Sequence, residues 1–157
     1  MGTDNGALAR RYLTELWGKG KLELIEELVD DDIALIDPMT PEPAKGVEAL
    51  KQRIDGMGKT FTEGETVIDE VVVAGDTVTV RTRWMGVHSG DFFGLAPTSR
   101  RVTCPAAEII KIRNGKVVEN TSYFDLYSMF QQLGALPAPD QLKAQREAQQ
   151  PSQTATA

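Results

Sequence analysis

The side chains that could move protons in this chain are few. His88 is the single histidine and Cys104 the single cysteine, and near the end of the last strand-like segment stand Tyr123 and Asp125. One histidine excludes H-E-x-x-H and other multi-histidine metal sites, and no spaced Asp/Glu loop points to a carboxylate-bound ion. A lone cysteine forms no bridge within the chain. The phosphate-binding patterns G-x-x-x-x-G-K-[ST] and strand-associated G-x-G-x-x-G are absent, so nucleotide chemistry has no support. Neither metal nor cofactor is expected, and proton transfer must rest on a carboxylate.

Strand alternation says which side chains could meet. From Val78 to His88, the residues Val78, Val80, Thr82, Trp84, Gly86 and His88 share one face, and their apolar and aromatic character makes it the inner one. Further on, Glu119, Thr121, Tyr123 and Asp125 share a face, and Asn120, Ser122 and Phe124 the opposite one. With Tyr123 and Asp125 inward, a carboxylate, a phenol and an imidazole converge on an apolar chamber. A carboxyl group with an ordinary pKa of ~3.9 is a poor base, and desolvation raises it toward what general-base catalysis needs. Asp125 and His88 are the catalytic candidates, and Trp84, Tyr123, Asp37, Phe92 and Phe93 the candidate substrate contacts. Each has a structural alternative: Asp125 as a helix N-cap before Leu126, His88 as a hydrogen-bonded structural residue near a loop, Trp84 and Tyr123 as core, Phe92 and Phe93 as rim or subunit contact, and Asp37 as an Asp-Pro turn.

The elements that must position these groups follow from the hydrophobic periods. Ala9, Tyr12, Leu13, Leu16 and Trp17 predict a helix over Asn5–Trp17, and Leu22, Ile25, Leu28 and Val29 a second over Lys21–Val29. Asp32–Asp37 reads as a short strand stopped by Pro38, and Gly46–Lys59 as a third helix. β-branched runs at Val67–Val73 and Val78–Trp84 flank Ala74-Gly75-Asp76, and Arg101–Arg113 meets Lys116–Asp125 across Asn114-Gly115, so both pairs read as hairpins. Leu126–Leu133 closes as a short helix before Gly134. The pattern is α+β: three N-terminal helices packed on a strongly curved, mainly antiparallel sheet, making a cone whose mouth is a ligand pocket. Residues 1–136 form one domain, and the Pro-, Gln- and Ala-rich residues 137–157 a polar tail, partly helical or disordered.

Composition bounds the partners. Seventeen basic against twenty-three acidic residues give a net charge of −6, which disfavours nucleic acid. No apolar run near the length of a membrane span and no leader-like N-terminus is visible, so a cytoplasmic protein without a membrane partner is expected.

Gly86-Val-His88-Ser-Gly90-Asp-Phe92-Phe-Gly94-Leu-Ala-Pro97-Thr98-Ser-Arg100-Arg101-Val102, then Ile109 through Glu119, then Asp125, resembles the ester cyclases of the SnoaL-like polyketide cyclase group. The resemblance covers most of the chain except the tail. It implies the cone-shaped α+β barrel of the nuclear transport factor and scytalone dehydratase superfamily and a homodimer packed sheet to sheet. It also implies a hydrophobic small-molecule substrate and a cofactor-independent intramolecular aldol closure, with an aspartate on the final long strand as general acid/base, the place Asp125 occupies. Histidine is frequent in the family where this chain has Ile36, and a His-Trp pair where it has Asn120-Thr121, so the acid/base set here is thinner. Water addition to an epoxide, or a dehydration, is the alternative chemistry for such a cone, and small-molecule binding without turnover the alternative class. Extra polar groups near Asp125 would favour the hydrolase, because a nucleophilic water must be held by more than one partner. A wholly apolar pocket with Asp125 turned into the helix cap would favour binding alone.

Overall fold

The structure is a computed structural model, and it describes residues 4–149. Asp4 opens α1 (Asn5–Arg11) by accepting the Ala7 N–H at 3.0 Å, and the helix runs on as a π-helical segment through Tyr12–Trp17. Leu8, Ala9, Tyr12, Leu13 and Leu16 form its buried stripe, as the spacing predicts. The predicted second helix is cut short. A 3-10 turn at Leu22–Leu24 and a single turn, α2 (Ile25–Leu28), give way at Val29, where β1 (Val29–Ile36) begins. Val29 is already paired with Val117, so sheet pairing overrides the helical period there.

After β2 (Ala44–Lys45), α3 (Val47–Thr60) takes up the predicted third helix within one residue at each end. It follows β1, as the short strand read at Asp32–Asp37 ahead of the third helix implies, and precedes the long strands. The long strands β3 (Phe61–Ala74), β4 (Thr77–His88), β5 (Arg101–Arg113) and β6 (Lys116–Phe124) form a meander. The sheet order is β2-β1-β6-β5-β4-β3, antiparallel throughout except for β1 beside β6. Bulges in the β3/β4 ladder, between Thr62 and Glu65 and between Ile68 and Glu70, bend the strands and close the sheet around the helices. The α+β cone read from the sequence is the fold.

Two apolar clusters hold it. Leu8, Tyr12, Leu16, Ile33, Leu50 and Ile110 belong to the cluster between helices and sheet. Phe61, Phe92, Val102, Cys104, Met129 and Leu133 form a second, around α4 (Leu126–Gln132). Each fully buried aliphatic or aromatic side chain stabilises the fold by ~1.5–3 kcal/mol relative to exposure. The tail carries a helix, α5 (Pro139–Gln149), with no buried residue, and residues 150–157 of the predicted tail lie outside the described residues. Among the described residues no helix is long and apolar enough to cross a membrane.

Candidate active site

A cavity of about 460 Å³ opens between the two clusters, lined by Leu13 and Leu35 from one and Phe61, Phe92, Cys104 and Met129 from the other. A volume of this size suits a small organic ligand. Its wall is mostly apolar, and the exceptions define what it can do.

The principal exception is Glu108. Along β5 the inward register is Val102, Cys104, Ala106, Glu108, Ile110 and Ile112, so one carboxylate interrupts an otherwise small and apolar face. Glu108 lines the cavity together with Asn120 and Ser122 of β6. Ser122 donates its hydroxyl to Glu108 Oε2 at 2.5 Å, and Asn120 Nδ2 donates to the same oxygen at 2.8 Å. The Asn120 amide is turned by its far side, where the buried Tyr12 hydroxyl donates to Oδ1 at 3.0 Å. Burial pushes the Glu108 carboxyl above its ordinary range, while the Ser122 and Asn120 donations hold it back. Burial likewise raises the Tyr12 phenol, which keeps it a donor. The set is a carboxyl group with a raised proton affinity, fixed by two donors on one oxygen, with Oε1 free of protein partners among the described residues.

A second polar station is the Asp37–Arg53 ion pair, both members lining the cavity. Asp37 Oδ1 also accepts the Met39 N–H at 2.8 Å, so the residue is at once turn and wall. Arg53 comes from α3 and reaches Thr40 Oγ1 at 3.2 Å. Cys104 lines the cavity too, but burial pushes its thiol up to about 11, which removes it as a nucleophile near neutral pH. Among the described residues no group of three or more His, Cys, Asp or Glu side chains gathers as metal ligands would.

The residues singled out from the sequence divide. Trp84, Phe92, Phe93 and Asp37 line the cavity. Tyr123 is 60% exposed and lies outside the cavity lining. Asp125 is absent from the lining as well; its Oδ1 accepts the Ser128 N–H at 2.9 Å and caps α4. The inward assignment of these two is corrected by a bulge. Lys111 pairs with Glu119 but Ile112 with Val117, so Val118 is an extra residue. Val117 and Asn120 therefore both point inward, and the parity beyond them reverses, sending Ser122 and Phe124 to the cavity and Tyr123 away from it.

His88 is inward and fully buried, yet it is not part of the cavity lining. Its Nδ1 accepts the Thr98 N–H at 3.2 Å and lies 3.0 Å from Thr98 Oγ1, while its backbone bonds Arg100 and Ser99. Nδ1 as acceptor assigns the hydrogen to Nε2, which is buried without a partner between Phe61 and Phe92, ring centroids 5.5 and 6.2 Å away. His88 thus ties both ends of the loop that carries Phe92 and Phe93.

Glu108, Asn120, Ser122, Tyr12 and Arg53 were not among the site residues read from the sequence, where Tyr12 counted as core and Asn120 and Ser122 as the outer face of the last strand. The available signal was Glu108, the sole charged residue in the inward register of a strand whose bounds are legible.

The comparisons agree with this architecture. Aklanonic acid methyl ester cyclase AcmA of Streptomyces galilaeus is 26% identical over 130 residues, 80% of this chain and 88% of that protein. Nogalonic acid methyl ester cyclase of Streptomyces nogalater is 26% identical over 132 residues, 82% and 96% of the respective chains. Among solved structures, TsrD from Streptomyces laurentii superposes with a TM-score of 0.76 over 87% of this chain and 99% of its own, at 20% identity, a likeness of fold alone. The family model described as SnoaL-like polyketide cyclase matches residues 7–133. With the match spanning the cone from α1 to the end of α4, the chain belongs to the SnoaL-like polyketide cyclase family.

Proposed function

We propose that the protein catalyses a cofactor-independent ring closure or isomerisation of an enolisable, hydrophobic, polyketide-like compound, with Glu108 as the general acid/base in place of Asp125. The observation that carries this is the Glu108 carboxyl on the cavity wall, raised by burial and gripped on one oxygen by Ser122 and Asn120. The Glu108 carboxylate takes a proton from a carbon between two carbonyl groups. The resulting enolate carbon attacks a second carbonyl carbon of the same molecule, forming one C–C bond and moving the carbonyl π pair onto oxygen. Protonated Glu108 then returns the proton to that alkoxide. Atoms balance without an external reactant, and a carboxyl whose hold on the proton is raised by burial serves both transfers better than an ordinary one. The apolar walls fold the substrate toward a near-attack geometry. Homodimer formation through the sheet face that bears Tyr123 belongs to the same reading.

The test is deuterium exchange at the activated carbon of a β-keto ester, measured above the buffer rate. The Glu108→Gln protein should lose at least about 100-fold, the lower end of what a positioned acid/base supplies, with ligand affinity kept. Undiminished exchange in folded Glu108→Gln would overturn the assignment. Incorporation of labelled water oxygen into an epoxide-derived product would replace it with the hydrolase, and absence of any exchange by the wild type would leave a binding protein.

A further inference from the structure

We infer that Arg53, presented by Asp37, is a second substrate anchor, whose guanidinium donates to a neutral oxygen of the substrate remote from its enolisable group. This rests on the assignment of Glu108 above and narrows the substrate class.

Among the described residues lining the cavity, Arg53 is the one basic side chain. Its side chain is 25% exposed while that of Asp37 is 7% exposed, so the acid is covered and the guanidinium still presents surface. Asp37 and Thr40 engage two guanidinium nitrogens, and a guanidinium has five N–H donors. Donors therefore remain for a ligand. Burial lowers the Arg53 pKa, so the guanidinium is partly stripped of water. A buried ion pair is a poor device for stability, since a well-packed apolar pair of similar volume serves the fold at least as well. Its place in the wall of a ligand-sized cavity points to a ligand.

The register supplies the spacing. Ile36 pairs with Thr121, one residue before Asp37 and Ser122, and Ser122 pairs with Glu108. Asp37 and Glu108 are thus two strand steps apart, roughly 10 Å. Apolar side chains such as Trp84, Phe124 and Met57 line the rest of the same cavity. Charge decides the nature of the far group. Asp37, Asp91 and Glu108 line the cavity against Arg53 alone, so a free carboxylate meets an excess of negative charge, whereas a neutral oxygen accepts from Arg53 at no such cost.

The experiment uses two probes, methyl 3-(6-hydroxynaphthalen-2-yl)-3-oxopropanoate and the same ester without the hydroxyl. Calorimetry on the full chain should give at least about tenfold tighter binding of the hydroxylated ester by the wild type. In the charge-neutral double variant Asp37→Asn/Arg53→Gln the ratio should fall below about twofold, with the fold checked by circular dichroism. Should that variant fail to fold, Arg53→Lys, which keeps the charge but not the fork, should lower the ratio at least threefold. A wild-type ratio below twofold, or an unchanged ratio in either folded variant, overturns the inference. Exchange by Glu108→Gln on the hydroxyl-free ester, which has no group for Arg53, reads the acid/base assignment by itself, so the two can fail separately.

Discussion

Glu108 and Ser122 stand opposite each other across the β5/β6 ladder, and the serine hydroxyl lies 2.5 Å from Glu108 Oε2. The same oxygen receives Asn120, whose amide is oriented by Tyr12. Three elements, α1 with its π-helical extension, β5 and β6, therefore converge on one carboxyl group. Removing a donor to the carboxylate strengthens its hold on a proton.

Ser122→Ala should move the acid limb of the kcat/KM profile to higher pH, because the base form of Glu108 loses its closest donor. The plateau rate should change less than the limb. Asn120→Ala should do the same and also cost about 1–3 kcal/mol of stability, since the buried Tyr12 hydroxyl loses its acceptor. pH–rate profiles and urea melts of the two variants check this.

Glu108→Gln should be more stable than the wild type at neutral and alkaline pH. The folded-state pKa of Glu108 is raised, so the folded protein binds the proton more tightly than the unfolded chain. The stabilising contribution of that proton is complete below the unfolded pKa and is lost as pH rises through the folded one. Thermal melts from acid to neutral pH should show the variant's advantage growing with pH. An advantage that is flat across pH would mean the carboxyl is not desolvated.

Asp125→Asn should leave fold and proton transfer near wild type, because asparagine is as good an N-cap. Asp125→Ala should cost about 1 kcal/mol through the lost bond to the Ser128 N–H. A hundredfold loss of exchange in folded Asp125→Asn would return the acid/base role to it.

The contrast between Glu108 and Asp125 shows where the sequence is readable. Arg101–Arg113 matches β5 at both ends, and the inner face of β4 from Val78 to His88 is as alternation predicts. Both strands are free of register shifts where they pair. β6 is not. Counted from buried Val117, strict alternation puts Glu119, Thr121 and Tyr123 inside, and the single extra residue at Val118 reverses them. A bulge has no dependable composition, so parity beyond it is invisible until the partner strand is in place. Arg53 was hidden for another reason: three residues after Leu50 and four before Met57 it borders the apolar stripe of α3, where a long charged side chain reads as reaching out to solvent, and only the cone's closure shows that it meets the cavity.

His88→Ala should destabilise the protein by ~2–5 kcal/mol, the range for emptying a fully buried site. Its route to activity is indirect. The loop from Ser89 to Arg100 is tied at its base by His88 to Thr98, Ser99 and Arg100, and it carries Phe92 and Phe93 to the cavity. Thr98→Val removes the hydroxyl but keeps the N–H bond, and should cost about 1 kcal/mol. Both variants should raise KM more than they lower kcat, because the loop shapes the wall while Glu108 is untouched. Equal loss of kcat and kcat/KM in Thr98→Val would instead place His88 on the reaction coordinate.

Gly90→Ala probes the same loop by a different force. A Cβ at residue 90 would sit 2.2 Å from the carbonyl oxygen of Lys59 and 3.0 Å from Thr60 Cα, both backbone atoms. The close approach is held by Ser89 and Gly90, whose N–H groups both donate to the Thr60 carbonyl at 2.9 Å. The end of α3 and the start of the loop are therefore pressed together, and only a residue without a side chain fits. Backbone cannot rotate out of the way as a side-chain tip can, so the alanine must separate the two segments and lose those bonds. A loss of at least about 2 kcal/mol is expected from two displaced backbone hydrogen bonds, read from denaturant melts. Hydrogen exchange should speed up at Ser89 and Gly90 while the amides of β5 stay protected.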